Sequence, residues 1–134
     1  MRAGAATAGM LSAAILMSPG CERRGDPKAA SADEPVRRAL YLSLIARDHL
    51  LSCPGGASRP ETRAETGRFE ELRQLALRKG ADQAIWLGEN DFAAVRPFDE
   101  RPPCARGEAP YRAALASYGG ALDAFAGRVA AYRP

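Results

Sequence analysis

PYRAALASYGGALDAFAGRVAAYRP, residues 110–134, is the stretch that decides the fold. Its large apolar residues are Tyr111, Leu115, Tyr118, Leu122, Phe125, Val129 and Tyr132, in steps of four, three, four, three, four and three. That alternation gathers all of them on one stripe of an α-helix, the pattern of a heptad seam. Pro110 suits the first turn. The other faces carry Ala113, Ala114, Ala116, Gly119, Gly120 and Ala121. Residues this small let a second helix come close, and Gly119-Gly120 permits a bend. The seam reads as core of a small helical domain. The same stripe would also serve a homodimer, because a tyrosine ring is apolar while its hydroxyl stays wet.

Working towards the N-terminus, residues 96–110 form a proline-rich connection stiffened by Pro97, Pro102 and Pro103. Residues 81–98 read as a short helix capped by Asp82, with Ile85, Phe92 and Val95 on one face and Trp86 and Leu87 packing nearby. Gly88 and Asn90 would also allow two separate turns. "AIWL", residues 84–87, suits a strand but has no partner strand elsewhere. Before it, Ser58, Pro60 and Glu61 signal a helix start, and Phe69, Leu72, Leu75 and Ala76 share a face. Glu61 and Glu65 come early, and Arg73, Arg78 and Lys79 late, which complements the helix dipole. Gly80 is the expected C-cap. Gly67 lies inside this helix and weakens it by ~1 kcal/mol relative to alanine.

The first helix of the domain is expected to begin near Ser31. Ser31 and Glu34 have capping-box spacing, and Pro35 suits a first turn. Val36, Leu40, Leu44 and Leu51 recur at helical spacing, and Tyr41, Leu42, Ile45 and Leu50 widen the apolar surface. Pro54, Gly55 and Gly56 end the helix. These elements predict an all-α fold over residues 36–134: a small up-and-down helical bundle of three main helices and a short fourth.

Three cysteines, Cys21, Cys53 and Cys104, are an odd number. If Cys21 is used separately, Cys53 and Cys104 are left as a pair. Cys53 closes the first helix and Cys104 precedes the last, so a bond between them would staple the two at one end of the bundle. Closing so long a loop is worth about 4 kcal/mol in lost unfolded-state entropy.

Residues 3–17, "AGAATAGMLSAAILM", carry no charge, and Arg2 with the terminal amine supplies a short positive lead-in. The run has the length of a signal-peptide core and is short for a membrane span. It ends in Ser18, Pro19, Gly20 and Cys21. This segment resembles a bacterial lipoprotein signal, in which an apolar run meets two small residues and then the cysteine. Gly20 and Cys21 match that pattern; Ser18 stands where leucine is usual, and Pro19 is an unusual neighbour. The resemblance covers residues 1–21 only. It implies removal of residues 1–20 as a signal peptide, lipidation of Cys21 with a thioether diacylglycerol, and usually a further acyl chain such as palmitate on the new amine. It also implies a cell-envelope location, anchored in a membrane and facing the periplasm, with Glu22 after the cysteine favouring the outer membrane. Ser18 and Gly20 equally suit ordinary secretory cleavage, which would leave a soluble secreted or periplasmic protein. Residues 21–35 hold no large apolar side chain and read as a flexible tether whose Arg23, Arg24 and Lys28 can meet anionic headgroups.

Charge excludes little but is informative. The whole chain has 19 basic and 16 acidic residues, a balance of +3. Scattered basic residues at that balance argue against a nucleic-acid partner. His49, the single histidine, stands one turn before Cys53, but a cysteine spent on a disulfide is no nucleophile. Neither a CxxC nor an HExxH pattern is present, so no metal site, no cofactor and no catalytic set is expected. The acidic stretch of Glu89, Asp91, Asp99 and Glu100 beside Trp86 is the one hint of a ligand patch, centred on Trp86, Glu89 and Asp91. The expectation is a small, non-enzymatic envelope lipoprotein that binds an envelope protein or another envelope component. The alternative is a secreted or anchored small enzyme, or a ligand-binding accessory, that uses the 89–100 stretch.

Overall fold

The computed structural model describes the backbone from Pro27 onward and side chains from residue 32 to Pro134. Among the described residues there are four α-helices: α1 (Pro27–Leu51), α2 (Pro60–Arg78), α3 (Asp82–Val95) and α4 (Glu108–Ala131). Single 3-10 turns lie at Gly56–Ser58 and Arg96–Phe98, and no strand occurs among the described residues. The domain is all-α, and its helices pack on one hydrophobic core. The expected signal peptide and Cys21 lie outside the described residues. No helix among the described residues is long and apolar enough to cross a membrane.

The stripe of α4 is the spine of that core. Tyr118, Leu122, Phe125 and Val129 are fully buried, and Tyr111 and Tyr132 nearly so. Leu115 is only half-buried, and Ala114 takes the core position beside it. The seam considered for a homodimer is thus mostly buried within one chain. Phe125 meets Phe69 of α2 with ring centroids 6.1 Å apart, a favourable aromatic spacing. From α1, Val36, Leu40, Leu44 and Leu50 are buried. Ser43 is buried as well; its hydroxyl donates to the Ala39 carbonyl at 2.9 Å, with the Ala121 carbonyl of α4 3.4 Å away. That bond lets a polar group sit at the α1–α4 contact without an unmet hydrogen bond.

Several boundaries differ from the sequence expectation. Helix α1 begins at Pro27 and carries Pro35 in its interior, so residues 27–35, read as tether, are helical. Pro35 removes a single backbone donor. Asp33 is held by the Tyr132 hydroxyl, which donates to its Oδ1 at 3.2 Å and lies 3.3 Å from the Gly80 carbonyl. Helix α2 is capped by Arg59 with Pro60 next, not by Ser58, whose hydroxyl turns back to the Gly55 carbonyl. Its end is as expected. Gly80 adopts φ 91°, Ala81 N–H bonds the Ala76 carbonyl, and Gly80 N–H bonds the Leu77 carbonyl, the pairing of a Schellman cap.

Helix α3 settles the ambiguous segment as one helix, entered through Ala81 rather than Asp82. Its inner face is built from Ala81, Ala84, Ile85 and Gly88. A Cβ at Gly88 would stand 2.9 Å from the Arg37 carbonyl oxygen and 3.0 Å from a Leu40 methyl, so the two backbones nearly touch there. That contact rotates Trp86 and Val95 outward. Trp86 is 59% exposed and Val95 41%, so neither closes the core as the sequence suggested.

Candidate functional site

Cys53 and Cys104 are bonded to each other, with Cα atoms 4.6 Å apart. Both are buried. The bond joins the end of α1 to the segment that enters α4, and a second tie runs beside it. Ser52 Oγ accepts the Cys104 N–H at 2.9 Å and donates to the His49 carbonyl at 2.6 Å. His49 borders a shallow hollow of 210 Å³ shared with Asp48, Ser52, Arg96, Asp99 and Arg101. Arg101 grips Asp99 through its guanidinium and its backbone N–H, and holds that carboxyl down at about 2. A neighbouring cysteine in a disulfide cannot act with His49 as a nucleophile pair.

The same end carries the densest ion pairing. Glu108, in the first turn of α4, accepts from Arg59 at 2.8 Å and from Arg112 at 2.8 Å. These two guanidiniums hold its carboxyl down at about 2. Arg59 also lies 4.0 Å over the Tyr111 ring, and the Tyr111 hydroxyl shares a 2.9 Å hydrogen bond with buried Thr62. The arrangement couples the starts of α2 and α4.

Trp86, Glu89 and Asp91 do not converge. Glu89 faces α2 and accepts from Arg73 at 2.7 Å. Asp91, two residues on and so roughly 200° around the helix, faces α1. It takes a two-pronged grip from Arg37, at 2.7 and 2.9 Å, which lowers its pKa. Trp86 points to solvent between them. A groove of 410 Å³ between α1 and α3 is lined by Arg37, Arg38, Tyr41, Asp91 and Val95, among others, and includes neither Trp86 nor Glu89. Asp99 is bound to Arg101, as above. Each of these carboxylates is thus matched to a guanidinium on a different side of the domain. Among the described residues, no three His, Cys, Asp or Glu side chains come together as metal ligands.

Three features escaped the sequence reading. Lys79, read as completing its own helix, reaches across to cap α4, donating to the carbonyls of Val129 at 2.6 Å and Ala130 at 3.1 Å. The Tyr118 hydroxyl is buried without a hydrogen-bond partner among the described residues. Burial pushes this phenol up to about 12; Arg47 pulls the other way, without reaching hydrogen-bond geometry. Finally, α1 and α4 enclose an apolar groove of 230 Å³ whose sides are Pro35, Ala39, Leu42, Ala121 and Ala124, with Arg38 and Arg128 at its rim. The alternating small residues of α4 were a signal for close helix approach, but the arginines at the rim come from two helices and share no sequence motif.

Comparison of the chain with protein-family models, curated proteins and solved structures gave no match.

Proposed function

We propose that this chain is a small lipoprotein held to an envelope membrane through Cys21, and that its helical domain works by binding an envelope component rather than by turnover. The carrying observation is the cysteine pairing. Cys53 and Cys104 are spent on each other, which leaves Cys21, at the end of the charge-free run and directly after Gly20, without an internal partner. A disulfide clamp suits an exported domain of this size. A lipobox-like cysteine six positions before the first described helix suits an anchor close to the domain. Two or three acyl chains on Cys21 would hold it firmly, at ~0.8 kcal/mol per buried CH₂. Glu22 favours the outer membrane facing the periplasm, and the helices are assigned an up-and-down order with α3 as the short member.

Binding is preferred to catalysis because the groups that would serve acid–base chemistry are committed elsewhere. Asp91 is gripped by Arg37 of α1, Glu89 by Arg73 of α2, and Asp99 by its near neighbour Arg101. Glu89 and Asp91, which the alternative on the 89–100 stretch would use beside Trp86, therefore give it no converging pair.

The intact mass of native protein extracted from membranes tests the reading. The expected species begins at Cys21, carries acyl mass, and gains two hydrogens on reduction of Cys53–Cys104. A species without acyl mass, or one beginning elsewhere, overturns the anchor.

A further inference from the structure

Half of the arginines between residues 32 and 134 form ion pairs, such as Arg37 with Asp91, Arg59 with Glu108 and Arg73 with Glu89. Of the arginines that form no ion pair with a described carboxylate, Arg38, Arg128 and Arg133 are the ones gathered around apolar surface. All three stand on one face. Arg38 and Arg128 rim the apolar α1–α4 groove, and Arg128 and Arg133 rim a second hollow of 210 Å³ that also contains Pro35 and Ala32. Pro35 and Arg128 belong to both, so the two are continuous. Leu42, 44% exposed, projects along the same face. Of the acids nearby in sequence, Asp33 accepts from the Tyr132 hydroxyl, Asp123 pairs with Arg68, and Glu34 pairs with Arg37 on the α1–α3 side of Arg38.

We infer that this face, an apolar strip between Leu42 and Ala124 rimmed by Arg38, Arg128 and Arg133, docks on the surface of a bilayer containing anionic phospholipid. The inference rests on the membrane-anchor reading above. Charge complementarity selects the occupant. Three unpaired cations around exposed apolar surface match phosphate headgroups over an acyl boundary, each worth ~1 kcal/mol near an anionic surface. A second copy would bring the same three cations against one another. At 230 and 210 Å³ the hollows are too small and open to enclose a lipid molecule, since ligand pockets run to roughly 300–1,000 Å³; a surface fits where a pocketed ligand does not. Chain length points the same way. The second hollow includes Ala32, eleven residues after Cys21, and eleven residues reach at most roughly 40 Å. A lipidated Cys21 therefore keeps a bilayer always within reach of this face, at a high effective concentration.

Arginine footprinting tests it. Native protein from membranes is reconstituted into vesicles of phosphatidylcholine alone, or with about one-third phosphatidylglycerol, and treated with a dicarbonyl reagent. Modification is then mapped by mass spectrometry. Arg38, Arg128 and Arg133 should be protected several-fold on the anionic vesicles only. The protection should vanish at high salt, where charges are screened beyond roughly 3 Å. Arg63 and Arg106 lie off the groove and serve as internal controls. Replacing Arg38 or Arg128 by glutamine should lower the docked-to-free ratio about five-fold each and expose Arg133, with the anchor intact. Equal modification on both vesicle types overturns the proposal. So does protection on both, which would mean a second copy, and protection in native membranes but not in pure lipid, which would mean a protein partner. The mass measurement separates the two readings. If Cys21 carries no acyl chain the anchor fails, and co-sedimentation of that soluble form with anionic vesicles, lost in Arg38→Gln/Arg128→Gln, still decides the docking face.

Discussion

The same substitution at two helical glycines should have opposite signs. Gly67 lies exposed in α2, and a Cβ there would meet nothing within 4 Å. Alanine should then deliver its full helix advantage, roughly 0.8–1.0 kcal/mol of added stability. Gly88 in α3 would gain the same propensity, but its Cβ would stand 2.9 Å from the Arg37 carbonyl oxygen and 3.0 Å from Leu40. The first of these atoms is backbone and cannot swing aside. Relief requires α3 to move off α1 by about half an ångström, straining the Arg37–Asp91 grip and the packing of Ile85. Overpacking of this kind costs about 1–3 kcal/mol, so Gly88→Ala should lose stability overall, by up to about 2 kcal/mol. Urea unfolding of oxidised protein followed by far-UV circular dichroism reads both. With a slope of roughly 2 kcal/mol/M, Gly67→Ala should raise the midpoint by about half a molar and Gly88→Ala should lower it by up to about one molar. A Gly88→Ala protein that unfolds at or above the Gly67→Ala midpoint would refute the claim that close backbone contact sets the α1–α3 packing.

Replacing both Cys53 and Cys104 by serine, or reducing the bond, should cost about 4 kcal/mol for a loop of this size, seen as a large drop in melting temperature with the helical spectrum retained below it. Tyr118→Phe should be neutral or raise stability by about 1 kcal/mol, because it deletes a buried hydroxyl that has no partner; a clear loss in thermal melting would show that the hydroxyl is bonded. Burial raises the Tyr118 phenol to about 12 from an ordinary 10.0, so the fold keeps its full stability with respect to this group below pH 10 and loses stability as pH rises towards 12, where the unfolded chain ionises more readily; ultraviolet titration should show one tyrosine ionising late, with unfolding. Glu108 is lowered to about 2 from 4.5, so its contribution is present above pH 4.5 and fades as pH falls towards 2. Carboxyl NMR should place its midpoint near 2 in the folded protein, and Arg59→Gln should move it upward.

What the sequence determined by itself was the pattern whose period matches its structure. The α4 stripe from Tyr111 to Tyr132 was legible because helical spacing and burial coincide at nearly every step, and Gly80 was legible because only a residue that tolerates positive φ ends a helix in that way. The Cys53–Cys104 bond was expected on the condition that Cys21 is used separately, and the two cysteines are indeed bonded. Tertiary packing decided the rest. Trp86 turned outward because Ala81, Ala84 and Gly88 let α3 press its backbone onto α1, a choice between two apolar faces that periodicity alone does not rank. Glu89 and Asp91 read as a cluster along the chain yet separate to α2 and α1, since two residues on a helix are nearly opposite. Lys79 caps a different helix from the one that carries it. The face of Arg38, Arg128 and Arg133 exists only because α1 and α4 lie side by side, so that residues almost a hundred positions apart share one surface.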